Sequence, residues 1–174
     1  MADKLYFYSK SKDAKPGRGV REQVGDPSAY AGLASIPHWR RVLSNFHAGK
    51  KPFLYKNLHW QTIEHAFQAV KLGRIRQEFF KVFSVESGTE LGCAEDGLAA
   101  RKKRKWALLS PSQLAEWNAQ SEAVMAEIAR AKYATDAEAR RVLLATGKAE
   151  LWHVVPRGQP IRFRHLELLR EELL

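Results

Sequence analysis

The sequence predicts an α+β fold: one mainly helical domain over residues 1–174 with a few short strands. Three observations carry that reading. Two segments open with a hydroxyl side chain followed three residues later by Gln or Glu, and each leads into an amphipathic stretch. Short runs of aromatic and β-favouring residues interrupt the helical pattern. The length, 174 residues, suits one domain with a sizeable core and is short for two.

Leu5-Tyr6-Phe7-Tyr8 reads as a short strand. Residues 9–29 carry Lys, Gly, Pro and Asp without periodicity and read as a long loop, the main part of a loop-rich insertion at about 9–36. A loop of that length in a compact domain is often functional. Residues 37–43 suit a short helix with Pro37 in its first turn. Phe53-Leu54-Tyr55 is a second strand candidate. Thr62 is placed to cap a helix from Ile63 to about Leu72, with Gly73 as its stop. Residues 84–98, with Gly88, Gly92 and Gly97, read as loop or broken structure, and 101–105 form a basic run.

Ser110-Pro111-Ser112-Gln113 combines a Ser cap, Pro at the first helical position and Gln at the third. Its helix is expected to reach about Tyr133 with Leu114, Trp117, Val124 and Ile128 buried. Thr135-Asp136-Ala137-Glu138 starts another helix, which turns Val142 and Leu143 inward and stops at Gly147. Leu151 to Val155 reads as a strand ended by Pro156. A last amphipathic helix runs from about Arg164, with Leu166, Leu169 and Leu173 on one face.

Hydrophobic residues make up 45% of the chain, an ordinary globular share that argues against wholesale disorder. No apolar run approaches the roughly 20 residues of a membrane span. The start, Met1-Ala2-Asp3-Lys4, has no apolar segment behind it, so no secretory signal is expected. A single cysteine, Cys93, excludes an internal disulfide and suits a reducing compartment. An intracellular location follows as the expectation: cytoplasmic, or nuclear in a eukaryote. The six His and one Cys show no ligand spacing, so no metal is expected. Gly17-x-Gly19 lacks the rest of a dinucleotide fingerprint, and no cofactor is expected. The net charge of +10 suits a polyanionic partner or a phosphate-bearing ligand, and equally a basic surface kept for solubility.

One helix stands out for chemistry. At about 100° per residue, Ile63, Ala66, Phe67 and Val70 share one side. Glu64, Gln68 and Lys71 stand at i, i+4 and i+7 and form a polar line beside that stripe. A carboxyl, an amide and an amine therefore project together. By spacing alone this line reads first as a solvated face with weak polar contacts.

The order Leu43-Ser44-Asn45-Phe46, then Trp60-x-Thr62-x-Glu64-His65-x-Phe67-Gln68-Ala69-x-Lys71, resembles the signature of the NADAR family. Lys132-Tyr133 and Leu143-Leu144-Ala145-Thr146-Gly147 match in the same order. The resemblance runs from about Tyr6 onward. It departs from many bacterial members in the tail, where Leu151-Trp152-His153 and His165 stand in place of a Trp-Gly-x-Gly element and a Gly-x-Asn segment.

The resemblance implies hydrolysis of an N-glycosidic bond between ribose and a nitrogen base. The first substrate class is ADP-ribose on guanine bases of nucleic acid. The alternatives are ribosylaminopyrimidine intermediates of riboflavin synthesis, or non-catalytic binding of ADP-ribose or nucleic acid. The implied partners are thus ADP-ribosylated nucleic acid or an ADP-ribose-like small molecule, with no membrane. Glu64 is expected to stabilise charge at C1 or protonate the leaving base, and Lys71 to attack C1 and form a Schiff base. Asn45, Phe46, His65, Gln68, Arg101, Trp106, His153 and Arg157 are expected to bind substrate. Phe46 and Trp106 would sandwich a base, and Arg101 would meet phosphate.

Overall fold

The structure is a computed structural model that describes residues 1–174. In chain order the elements are β1 (Lys4–Phe7), a 3-10 turn (Pro27–Tyr30), α1 (Ala31–Ala34), α2 (Trp39–Val42), β2 (Phe53–Tyr55), β3 (Leu58–Trp60), α3 (Ile63–Gly73) and α4 (Glu78–Val82). A second 3-10 turn (Val85–Ser87) precedes α5 (Glu90–Cys93), α6 (Gly97–Arg101), α7 (Pro111–Thr135), α8 (Ala137–Ala145), β4 (Glu150–His153), β5 (Ile161–Arg162) and α9 (Arg164–Glu172). Helix covers 48% of the chain and strand 11%, so the class is mainly helical α+β. No helix is long and apolar enough to cross a membrane.

The chain packs as two compact units. One is discontinuous, residues 1–44 with 137–174; the other is continuous, residues 45–136.

In the discontinuous unit, β1 pairs in parallel with β4, and β5 adds antiparallel to β4. Leu5, Phe7 and Leu151 are fully buried on one face of this sheet. Alternation puts Tyr6 on the other face, stacked on Trp152 at 6.3 Å between ring centroids. α2 packs on β1, and α9 packs on β4. Asp26 accepts from the Ser28 N–H and starts the first 3-10 turn. Residues 27–34 are therefore wound, which narrows the expected loop-rich stretch of 9–36.

The continuous unit is built around α3, which contacts β3, α4, α6 and α7. β2 and β3 form a hairpin through Lys56 and Asn57, both left-handed at φ 50 and 63. Two such residues match the twist of a tight hairpin. α7 begins as expected, with the Ser110 hydroxyl accepting from the Gln113 N–H and Gln113 Oε1 accepting from the Ser110 N–H. Trp117 and Ile128 are buried as expected, but Leu114 is 44% exposed and Val124 only half-buried, so the buried stripe of α7 is narrower than its apolar period suggests. Gly73 does not end α3 by a left-handed turn. It lies in the last turn, where a Cβ would sit 3.0 Å from Phe80 Cβ, so its smallness lets α4 approach.

Candidate active site

Thr62 is extended (φ −139, ψ 163) and turns the chain from β3 into α3. Its Oγ1 accepts from the His65 N–H at 3.2 Å, a normal cap. The same oxygen lies 2.8 Å from His65 Nδ1, and His65 Nε2 lies 2.9 Å from the Leu91 carbonyl. A carbonyl only accepts, so Nε2 carries the proton and Nδ1 accepts from the Thr62 hydroxyl. Burial holds this His below its usual pKa, which keeps it neutral. Expected among the substrate-binding residues, His65 is instead fully buried with both nitrogens engaged. It fastens α3 to α5.

A second fastening comes from Asn45. Its backbone carbonyl accepts the Glu64 N–H at 3.1 Å, so a first-turn amide of α3 finds its partner in the preceding loop. The Asn45 amide nitrogen lies 3.5 Å from Met125 Sδ, a weak contact, and its Oδ1 is buried without a partner. An unused acceptor thus sits beside the start of α3.

Glu64 is 4% exposed. It accepts a hydrogen bond from Gln68 Nε2 at 2.8 Å, and Arg101 Nη1 of α6 lies 3.8 Å from the same oxygen. Burial pushes its carboxyl above the usual range; Gln68, Arg101, Lys71 and Arg104 oppose that shift. Lys71 is partly exposed, and burial together with Arg101 and Arg104 lowers its amine below the usual value against the pull of Glu64. The acid and the amine therefore lean toward each other's proton affinity. Gln68 Oε1 is buried without a partner. Turning the amide over would let that oxygen accept from a protonated Glu64, so one residue can serve both forms of the acid.

Four expected residues thus meet: Glu64, Gln68, Lys71 and Arg101. The polar line is not the solvated edge that spacing alone allows, because Ile63, His65, Ala66, Ala69 and Leu72 are buried around it as well. Arg104, part of the basic run, acts on both Glu64 and Lys71.

The Phe46 carbonyl accepts the Gly97 N–H at 3.0 Å. A Cβ on Gly97 would lie 2.5 Å from Phe46 Cα, so only glycine lets α6 come this close. Trp106 is 43% exposed and rests on Phe79 and Phe83 at 5.6 and 5.7 Å, with Lys103 Nζ 5.0 Å from its ring. His153 and Arg157 belong to the discontinuous unit. The His153 ring packs on Phe7 and Phe163, and Arg157 is exposed in a left-handed turn at φ 59.

One supporting residue carries no assigned role in the sequence reading. Lys132 is 1% exposed, and its Nζ donates to the His47 carbonyl at 2.6 Å. Burial draws its pKa down to about 8. The bond ties α7 to the loop that bears Asn45 and Phe46. Its signal is a lysine one turn beyond Ile128 on the buried stripe of α7.

A family model described as NADAR domain matches residues 36–159. Among solved structures, the NMR structure of the E. coli protein YbiA is similar with a TM-score of 0.50 at 21% identity, over 99% of this chain and 84% of that one. At that identity the likeness concerns the fold. No curated protein matches.

Proposed function

Since the chain belongs to the NADAR family, a generally N-glycosidase-like family, we propose that it removes ADP-ribose from guanine bases of nucleic acid. One observation carries the reading: a buried carboxyl and a partly buried amine share one face of α3, with two guanidinium groups acting on both.

Cleavage of a ribose–base bond builds positive charge at C1 and negative charge on the leaving base. A free Lys has a pKa of about 10.4 and is a poor nucleophile near neutrality. Here burial raises Glu64 and lowers Lys71. That favours passing a proton from the amine to the carboxylate, which leaves a neutral amine and a carboxylic acid. The Lys71 lone pair attacks C1 as the C1–N bond breaks, and Glu64 gives its proton to the departing nitrogen. The adduct opens to a Schiff base as the ring oxygen takes the proton left on the amine. Water then adds to the carbon–nitrogen double bond and releases the sugar. Arg101 and the nearby Arg104 suit the diphosphate of ADP-ribose. The net charge of +10 favours a nucleic-acid substrate over a small free intermediate.

The test is to incubate the protein with an oligonucleotide ADP-ribosylated on guanine, and separately with ribosylaminopyrimidine phosphates, and to follow release of ADP-ribose and of ribose phosphate. Turnover of the oligonucleotide is expected. Lys71→Ala should abolish it with little loss of thermal stability, and borohydride should trap the wild-type protein on substrate. A fully active Lys71→Ala removes the Schiff-base step. Turnover of the pyrimidine phosphates alone reassigns the substrate, and binding without turnover ends the enzyme reading.

A further inference from the structure

The discontinuous unit contains a partly open cavity of about 970 Å³. Tyr6 and Tyr8 line it from β1 and the residue beyond, while Leu5 and Phe7 point into the core. The 11–21 loop supplies Lys12, Arg18 and Arg21, and the turn after β4 supplies Arg157. These four side chains form no ion pair or side-chain hydrogen bond, and no Asp or Glu lines the cavity. All four are exposed.

The local acid is spent elsewhere. Glu22 accepts from the N–H groups of Tyr6, Gly17 and Gly19 at 3.0, 2.8 and 3.0 Å and pairs with Arg40 at 2.5 Å. Arg40 is itself held by the Lys15 carbonyl at 3.2 Å. This buried pair braces the loop and leaves the surrounding cations uncompensated. Arg21 and Arg157 both hold left-handed backbone, φ 67 and 59, a conformation that side chains larger than glycine rarely adopt.

We propose that this cavity binds single-stranded nucleic acid, with consecutive phosphates on Lys12, Arg18, Arg21 and Arg157 and a base against Tyr6 or Tyr8. Exposed cations spread over a loop and a turn make a track for several phosphates, whereas a free nucleotide is served by a compact, enclosed cradle. Aromatic faces beside such a track are the usual platform for unpaired bases. The inference extends the nucleic-acid substrate of the N-glycosidase reading, but its test uses unmodified nucleic acid and no turnover, so the two fail separately.

The experiment measures anisotropy of a labelled oligothymidylate of about 12 nucleotides against the full chain over a range of KCl. Wild type should bind with a steep salt dependence. The triple variant Arg18→Gln, Arg21→Asn, Arg157→Asn should bind at least about tenfold more weakly and flatten the log–log salt slope by about 2. Asn is chosen because it tolerates left-handed backbone. Tyr8→Ala should weaken binding about fivefold with little change of slope. A control with the same charge loss, Lys50→Ala, Lys51→Ala, Lys148→Ala, should change affinity less than about twofold. Thermal melts check that each variant is folded. Equal losses in the two triple variants would mean diffuse attraction and overturn the proposal. So would full displacement by ADP with no dependence on strand length, which would assign a free-nucleotide site.

Discussion

Glu64 is ionisable yet almost wholly enclosed, so removing its charge tests stability and chemistry separately. Glu64→Gln keeps the shape and a hydrogen bond to Gln68. Loss of the acid should lower turnover by at least about 100-fold. The folded carboxyl has a pKa above its ordinary 4.5. Its contribution to stability is therefore full below that value and is lost as pH rises through the folded pKa. Glu64→Gln should accordingly melt higher than wild type at pH 7 and show no gain at pH 4, by calorimetry at both pH values. A variant that melts lower at pH 7 would mean that Arg101 and Gln68 outweigh burial. The line Glu64, Gln68, Lys71 is legible in the sequence as i, i+4, i+7. Its burial is not, because enclosure comes from α6 and α7, which the helix's own period does not report. The burial of His65 is hidden for a similar reason: its partner Leu91 lies 26 residues away.

The close approach of α6 to the loop at Phe46 sets where Arg101 stands. Gly97→Ala would press a methyl against backbone, 2.5 Å from Phe46 Cα, and something must shift. Moving Arg101 by part of an ångström should lower kcat about tenfold or more while far-UV circular dichroism stays near wild type. An unchanged kcat would show that the position of Arg101 is not critical. Capped helices are the most legible elements: α3 and α7 begin where a hydroxyl side chain predicts, whereas Thr135, read as the start of α8, ends α7 with its hydroxyl donating to the Lys132 carbonyl, and α8 begins at Ala137. The strands β3 and β5 hold only three and two residues, too few for alternation to register. The β2–β3 turn is hidden because Lys56 and Asn57 lack the glycine that usually marks left-handed pairs. α5 and α6 escape because Gly92 and Gly97 read as breakers when they in fact admit close neighbours.

Over the whole molecule, acid sensitivity should trace to buried neutral histidines. His165 packs on the Phe163 ring at 4.8 Å, its Nε2 has no partner, and burial lowers its pKa to about 4. A folded pKa below the ordinary 6.5 gives stability that is present above 6.5 and is lost as pH falls toward 4. By pH 5 the loss should be about 2 kcal/mol. His165→Phe keeps the ring and removes the titration. The difference in unfolding free energy between pH 7 and pH 5, from urea titrations, should shrink by about that amount; an unchanged difference would place the sensitivity elsewhere. The discontinuity of one unit has its own consequence during synthesis. Residues 45–136 have every partner described for α3 within one uninterrupted stretch, whereas Lys4–Phe7 must wait on the ribosome for Glu150–His153 to emerge. A nascent chain arrested with Asp136 just clear of the ribosome should thus already protect the continuous segment from protease while its first strand stays open to cleavage or to chaperones.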